Sequence, residues 1–366
     1  MASIQDENTA LQITYTVRME NNIKSYSRQG IEELLASLGQ PRFRSKQVVQ
    51  WLYQHGVSSY DEMTNLPAAL RAQLAHVAPL TIPKLVDKQT SHDGTRKYLW
   101  EFSDGARVET VAIPSRDISP DKMPKRLTIC FSTQVGCPMA CAFCATGKEG
   151  FGRNLTPGEM VDQIIFAGRD MGCRVTNLVA MGQGEPFLNY DNTRAALHFL
   201  NSADGLEVGA RHITVSTCGI IAGIRRFATE PEQFTLAISL HSALQSTRDA
   251  LMPKVASSPL TQLRAAIIDY TEESNRRVTF EYLLIKDVND GKRDLDALKR
   301  FCKGLLCHVN LLPINAVSGS PYQPASPNVM RQWTDSLQSV GIETTVRNSR
   351  GSDIDGACGQ LKNATH

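Results

Sequence analysis

No stretch of this chain is long and apolar enough to cross a bilayer, so a helical membrane span is not expected. Low-complexity linkers and internal repeats are also missing, which leaves no sign of a repeat architecture. Strong charge of either sign is absent: the formal net charge is +2, too small for the whole-protein field to announce a polyanionic partner. Contact with a polyanion would have to come from local clusters, such as Arg42, Arg44 and Lys46, or Lys122, Lys125 and Arg126. Taken alone, each cluster reads more readily as an ordinary solvated face. Residues 1–13 show no basic stretch followed by an apolar one, so no secretory signal and a cytoplasmic location are expected.

The composition that is present is that of a globular protein, with 42% hydrophobic and 21% charged residues. At 366 residues the chain exceeds the roughly 250 to 300 at which single cores stop growing, so one large domain with a smaller companion is expected. Nine cysteines are an odd count for a chain without a signal. They are read as thiols, metal ligands or catalytic groups rather than as a disulfide scaffold.

Residues 1–90 read as a small helical accessory module. Ile31, Leu34, Leu35 and Leu38 recur at helical spacing before Gly39, and Val48, Val49 and Leu52 do so before Gly56. From about Gly94 the texture changes, and 96–102 and 108–113 look like strands joined through Asp104 and Gly105. Apolar runs at 127–131, 177–181, 213–216, 234–240, 278–284, 309–312 and 342–346 then alternate with helix-length segments at 157–170, 192–201, 260–273 and 293–304. That rhythm is repeated βα, and about six units fit the length, so the fold class expected for 91–366 is α/β, a partial (βα)6 barrel. Function should gather at the C-terminal ends of its strands.

Directly after the first of these strands comes Cys137-Pro138-Met139-Ala140-Cys141-Ala142-Phe143-Cys144. Thiolates are soft ligands suited to iron–sulfur clusters or zinc. A structural zinc site wants four closed ligands, and no second CxxC or HxxxH lies nearby. A four-iron cluster held by three cysteines would instead keep one iron open. A second strand runs into Gly182-Gln183-Gly184-Glu185-Pro186, where backbone can approach a ligand closely and a carboxylate can accept from an ammonium group. Ser216, Ser239 and His241 also stand at strand ends, although each alone reads as a cap or turn residue.

The CxxxCxxC spacing, with Phe143 before the last cysteine and a strand before the first, resembles the radical S-adenosylmethionine superfamily. In that superfamily the open iron binds the amino and carboxylate groups of S-adenosylmethionine, and its cleavage produces a 5′-deoxyadenosyl radical. The resemblance implies one 4Fe-4S cluster on Cys137, Cys141 and Cys144. It also implies cofactor contacts from Gly184, Glu185, Ser216, Ser239, Leu240 and His241.

More of the chain narrows the likeness. Residues 126–137, 144–148, 181–189, Ser239-Leu240-His241 and the stretch from Arg347 through Arg350-Gly351-Ser352-Asp353 to Ala357-Cys358-Gly359-Gln360-Leu361 resemble the RlmN/Cfr family, as do Phe43-Arg44 and Tyr60-Asp61-Glu62-Met63 in the helical module. Members methylate an adenosine of 23S ribosomal RNA. Carbon 2 of adenine is too electron-poor to attack a methyl donor as a nucleophile, and a radical route avoids that problem.

By matching positions, Cys358 is the implied methyl carrier, Cys130 the thiol that resolves the RNA adduct, Glu109 the proton acceptor and Asn315 a further cofactor contact. Two S-adenosylmethionine molecules per cycle are implied. So are a 23S ribosomal RNA substrate bound in part by the helical accessory module 1–90, with a transfer RNA anticodon loop as a further candidate, an electron donor such as flavodoxin or ferredoxin, and a reductant for the Cys130–Cys358 disulfide. No membrane and no second subunit are expected. Carbon 8 methylation, as in Cfr, is the close rival; a non-catalytic RNA-binding protein with a structural metal is the distant one. Cys173, Cys218, Cys302 and Cys307 are read as structural. Cys218, Gln183 and Gly356 depart from the family's usual serine, methionine and alanine, and bear on the cofactor pocket and the Cys358 loop.

Overall fold

The structure, a computed structural model, describes residues 22–115, 124–317 and 319–363. The reading of 1–13 and the cluster residue Lys122 lie outside the described residues. Among these residues no helix is long and apolar enough to cross a membrane.

The N-terminal part is helical, as its spacing predicts, with helices Arg28–Ser37, Phe43–Val49 and Ala68–Val77. Ser27 caps the first by accepting from Gly30 N. The helical part ends at Val77. Residues 84–90, which the sequence boundary at 90 places in the helical module, form β1 (Lys84–Thr90). Their mostly polar, half-exposed pattern carries no alternating apolar signal. β1 pairs antiparallel with β2 (Arg96–Glu101), and β2 with β3 (Arg107–Pro114).

β3 then pairs antiparallel with β4 (Leu127–Cys130). From there the sheet turns parallel through β7 (Asn177–Ala180), β8 (Ile213–Thr217), β9 (Thr235–Ser239), β10 (Val278–Leu284), β11 (Cys307–Pro313) and β12 (Glu343–Val346). The ten-stranded order β1-β2-β3-β4-β7-β8-β9-β10-β11-β12 leaves its edges unjoined. The crossovers carry helices Pro157–Met171, Tyr190–Asn201, Ile221–Ala228, Leu260–Ser274, Lys292–Cys302 and Pro327–Gln338. This is the six-unit partial barrel expected, followed by one further parallel strand at its open edge. Pro157–Met171 shows why its helix forms where it does: Thr156 and Glu159 make a capping box, and Gly172 ends it in the left-handed conformation.

Helical module and barrel share one apolar core. Ile31, Leu52, Leu70 and Leu74 belong to the same buried cluster as Ile164, Leu178 and Ile213. Tyr53 stacks on Phe199 at 4.1 Å. Lys24 Nζ meets Asp162 Oδ1 at 2.5 Å, with both side chains almost fully covered.

Candidate active site

The cysteine loop hangs from a small hairpin that the sequence did not announce, β5 (Gln134–Gly136) paired with β6 (Phe151–Asn154). Cys137 N donates to Gly150 O at 2.7 Å. Gly136 has φ +70°, and a Cβ there would lie 2.1 Å from Gly150 O, so only glycine lets the strands close under the loop. The turn after β7 is equally tight. A Cβ on Gly182 would meet Phe131 O at 2.7 Å, and one on Gly184, at φ +104°, would meet Gln134 N at 2.8 Å.

Cys137, Cys141 and Cys144 face a cavity of about 160 Å³ with Gly184, Glu185, Ser216, Ser239 and His241. Burial first, then the neighbouring thiols and Glu185, oppose ionisation: Cys137 is pushed up to about 11, and Cys141 also rises. Cys137 and Cys141, whose burial opposes ionisation, call for a cation to hold them as thiolates. Among the described residues no three His, Cys, Asp or Glu side chains are placed to hold a single metal ion. Three soft thiol donors in one loop are the donor chemistry that an iron–sulfur cluster takes.

Glu185 is buried, and burial pushes its carboxyl up, partly offset by N–H groups of Cys218 and Phe187 donating at 2.8 and 3.0 Å. A ligand ammonium would favour its ionised form. Ser216 and Ser239 hydroxyls lie 3.4 Å apart. His241 Nδ1 accepts from Leu283 N at 3.1 Å, which leaves the ring proton on Nε2. Burial, then the charge of Arg248, hold this imidazole down to about 3, so it is neutral at pH 7.

Leu240 lines neither cavity. It is fully buried, with its N–H on Glu281 O and its carbonyl taking Arg248. Cys218, read as structural, does line the cysteine cavity.

A second cavity of about 610 Å³ adjoins the first. Its wall carries Cys130 and Cys358, and the residues common to both walls include Cys144, Thr146, Met181, Arg347 and Cys358. Burial, then Cys358, push the Cys130 thiol up to about 12, and Arg347 acts in the opposite sense.

The Cys358 loop is tied down at several points. Ala145 N donates to Gly359 O at 2.7 Å, Thr146 Oγ1 to Leu361 O at 2.8 Å and Gln360 Nε2 to Ala316 O at 2.9 Å. Asn315 lies on this larger wall and not on the cysteine cavity, and its amide donates to Cys358 O at 3.0 Å. Arg350 and Gly351 N clasp Asp93.

Glu109 stands apart. It lines neither cavity, is fully buried, pairs with Lys97 Nζ at 3.1 Å and accepts from Lys362 N at 2.7 Å.

The basic clusters also separate. Arg42 and Lys46 face Glu32 and Asp204 at 3.8 and 3.5 Å, whereas Lys125 and Arg126 line the larger cavity with Arg347 and Arg350, and among the described residues no carboxylate side chain shares that wall. Arg248 and Thr146 were not singled out from the sequence. Arg248 staples the carbonyls of Ser239, Leu240 and Cys218, from a short helix, Gln245–Leu251, that periodicity did not reveal.

Comparison with known proteins gives the same picture. Residues 21–80 match the ribosomal RNA large subunit methyltransferase N-terminal domain and 131–299 the radical SAM superfamily. A probable dual-specificity RNA methyltransferase RlmN of Symbiobacterium thermophilum is 45% identical over 92% of this chain and 90% of its own. One of Akkermansia muciniphila is 42% identical over 90% and 93%. The crystal structure of a radical SAM methyltransferase from Sphaerobacter thermophilus superposes with a TM-score of 0.86 at 43% identity, covering 94% of this chain and 99% of that one. Likeness of this extent, spanning both the helical module and the barrel with its cysteine loop, places the chain in the RlmN family of radical SAM RNA methyltransferases.

Proposed function

We propose that this chain methylates carbon 2 of an adenosine in 23S ribosomal RNA, and of an adenosine in transfer RNA, through a methylated Cys358. The observation that carries the reading is the position of Cys358 on the wall shared by two cavities. One cavity holds the three loop cysteines; the other holds Cys130 and four cationic side chains and, among the described residues, no carboxylate. Four cations on one wall attract a polyanion. The relatives' names, which specify dual-specificity RNA methyltransferases, support two classes of RNA substrate.

With a 4Fe-4S cluster on Cys137, Cys141 and Cys144, S-adenosylmethionine would supply both the methyl group and the radical chemistry. Glu185 would hold the ammonium group of the methionine moiety, and the Ser216 and Ser239 hydroxyls and the Nε2–H of neutral His241 would face the rest of the ligand. The methyl carbon on Cys358, having given up one hydrogen atom to that radical chemistry, would bond to the adenine ring and leave RNA and protein joined; the odd electron of this adduct would pass to a one-electron acceptor, a part the cluster could supply, before release.

Release falls to Cys130. Its thiolate attacks the Cys358 sulfur, a sulfur–sulfur bond forms and the bond from Cys358 sulfur to the transferred carbon breaks. That carbon keeps the electron pair and takes up a proton, while a base removes the proton from the ring carbon. A reductant then reopens the disulfide.

Glu109 is the base carried over by resemblance. Its carboxylate is held by Lys97 and by Lys362 N, so this role requires the segment 361–363 to move aside when RNA binds. Asn315, bonded to the Cys358 carbonyl, would orient the carrier from the substrate side.

The test is anaerobic incubation of the reconstituted enzyme with labelled S-adenosylmethionine and ribosomal or transfer RNA fragments, followed by nucleoside mass spectrometry. 2-Methyladenosine is expected; 8-methyladenosine would assign the chain to the Cfr reaction. Cys130→Ala is expected to leave RNA covalently attached to protein as a ribonuclease-sensitive band. Normal turnover by that variant would end the two-thiol mechanism.

A further inference from the structure

Arg347 follows β12, and its N–H donates to Leu311 O at 2.9 Å. Other well-covered arginines of the barrel use their N–H groups: Arg153 on Asp104 and Glu159, Arg194 on Glu230 and Glu232, Arg276 on the carbonyls of Glu232 and Phe234. Among the described residues the Arg347 guanidinium makes no hydrogen bond and no ion pair, and its nitrogens are not sealed in the interior. It lies on the walls of both cavities, and among the described residues it is the only cation common to the two. The ionisable groups that act on it are Cys358, Glu281 and Cys130, and both cysteines share the wall of the larger cavity with it. Glu281 is already engaged by Asn310 Nδ2 at 2.9 Å.

Sulfur reacts as the thiolate, both when it takes a methyl group and when it attacks another sulfur. Cys130 sits in an apolar setting of Val111 and Leu361, with Ile113, Val179 and Met181 against it, which opposes the anion. A guanidinium stays charged at any working pH and is weakly hydrated, so it can sit half-buried beside a thiolate at modest cost.

We propose that Arg347 is a positioning residue for the sulfur chemistry, stabilising the Cys358 thiolate for methyl loading and the Cys130 thiolate for product release. In loading, the Cys358 sulfur forms a bond to the methyl carbon, and the sulfonium donor departs as a neutral thioether with the bonding pair; the thiol proton has already gone to water. The proposal rests on the reading above for the identity of the reaction, but the charge relation between Arg347 and the thiols can be tested without RNA or turnover.

The experiment uses the full-length holoenzyme, shown by intact mass to carry an unmethylated Cys358. Iodoacetamide alkylation is followed by peptide mass spectrometry from pH 5.5 to 9.5, in wild type, Arg347→Lys and Arg347→Met. Cys173 and Cys307, partly buried thiols elsewhere, serve as internal standards for the fold.

Loss of one opposite charge near a thiolate is expected to slow Cys358 alkylation about tenfold at pH 7 in Arg347→Met. Rates should converge at high pH, and Arg347→Lys should stay within about threefold of wild type. Arg347→Gln replaces the methionine variant if the standards report misfolding. Unchanged Cys358 alkylation in Arg347→Met, as expected of an arginine kept for RNA phosphate, overturns the proposal. So does a lysine variant as slow as the methionine one. Failure of the nucleoside assay with this thiol result intact would remove the RNA reading and leave the role of Arg347 standing.

Discussion

Replacing Lys24 by methionine tests whether the helical module and the barrel fold as one body. Lys24 and Asp162 meet at 2.5 Å with side-chain exposures of 2% and 3%. The stem of Lys24 packs against Gly158, where a Cβ would lie 2.2 Å from Lys24 Cβ. Methionine keeps that stem and removes only the ammonium group, so packing is nearly conserved. What remains is Asp162, whose carboxyl burial already pushes up against the pull of Lys24.

Breaking a buried pair by removing one partner costs about 3–5 kcal/mol, because the other charge stays uncompensated. Asp162 can escape that cost by taking a proton, so the penalty should shrink by up to about 1.4 kcal/mol for each pH unit below neutrality. The double variant Lys24→Met, Asp162→Leu leaves no stranded charge and should return to within about 1–2 kcal/mol of wild type. Urea unfolding followed by tryptophan fluorescence and circular dichroism at pH 7.5 and pH 5.5 measures all of these. A single variant within 1 kcal/mol of wild type would refute the reasoning, as would a double variant no better than the single one. By the same logic, deleting the residues up to 78 uncovers shared core and strands Asp162, so the truncated barrel is expected to aggregate, not to survive as an RNA-free catalyst.

Gly184→Ala puts a Cβ 2.7 Å from Gln134 Cβ at a φ of +104°. A cost of about 1–3 kcal/mol is expected, with cofactor affinity by calorimetry falling before global stability does; binding at wild-type strength would contradict the cradle. His241, held down to about 3 by burial and then Arg248, binds fewer protons folded than unfolded. Its contribution is therefore complete above pH ~6.5 and is lost as pH falls toward about 3. In His241→Gln the fall in stability from pH 6.5 to 4.5 should be smaller than in wild type by about 2 kcal/mol, and equal slopes in urea titrations would show that the ring is solvated. Asp93→Asn weakens the clasp on Arg350, whose Nε donates to it at 2.6 Å. Amide exchange across 349–360 should quicken about tenfold, for one charge-assisted bond worth about 1.5 kcal/mol, and unchanged exchange would mean the Cys358 loop is held elsewhere.

Much of the barrel was legible because its information is short-range. The run predicted at 278–284 is β10 to the residue, and 157–170 differs from its helix by one position, since Thr156, Pro157, Glu159 and Gly172 punctuate it locally. Helices Ile221–Ala228, Gln245–Leu251 and Pro327–Gln338 escaped. So did β1, whose polar edge strand shows no periodicity until β2 pairs with it. The cysteine loop and the glycine turn could be read from spacing and residue type, because a tight turn leaves its requirement in the sequence.

What the amino-acid sequence determined by itself was the chemistry on offer: three thiols in one loop, a carboxylate on a glycine turn, and a family likeness that supplied roles for Cys130, Cys358 and Glu109. Only the tertiary structure decided which groups share a wall. Strand order puts Cys358 on one wall with Cys144, and Arg347 on a wall with Cys130 and Cys358, sets Asn315 on the Cys358 carbonyl and shuts Glu109 behind Lys362. It also pairs Lys24 with Asp162 across 138 positions. Contacts at such separations are fixed by how sheet and helices pack, a property of the whole chain that no local spacing records.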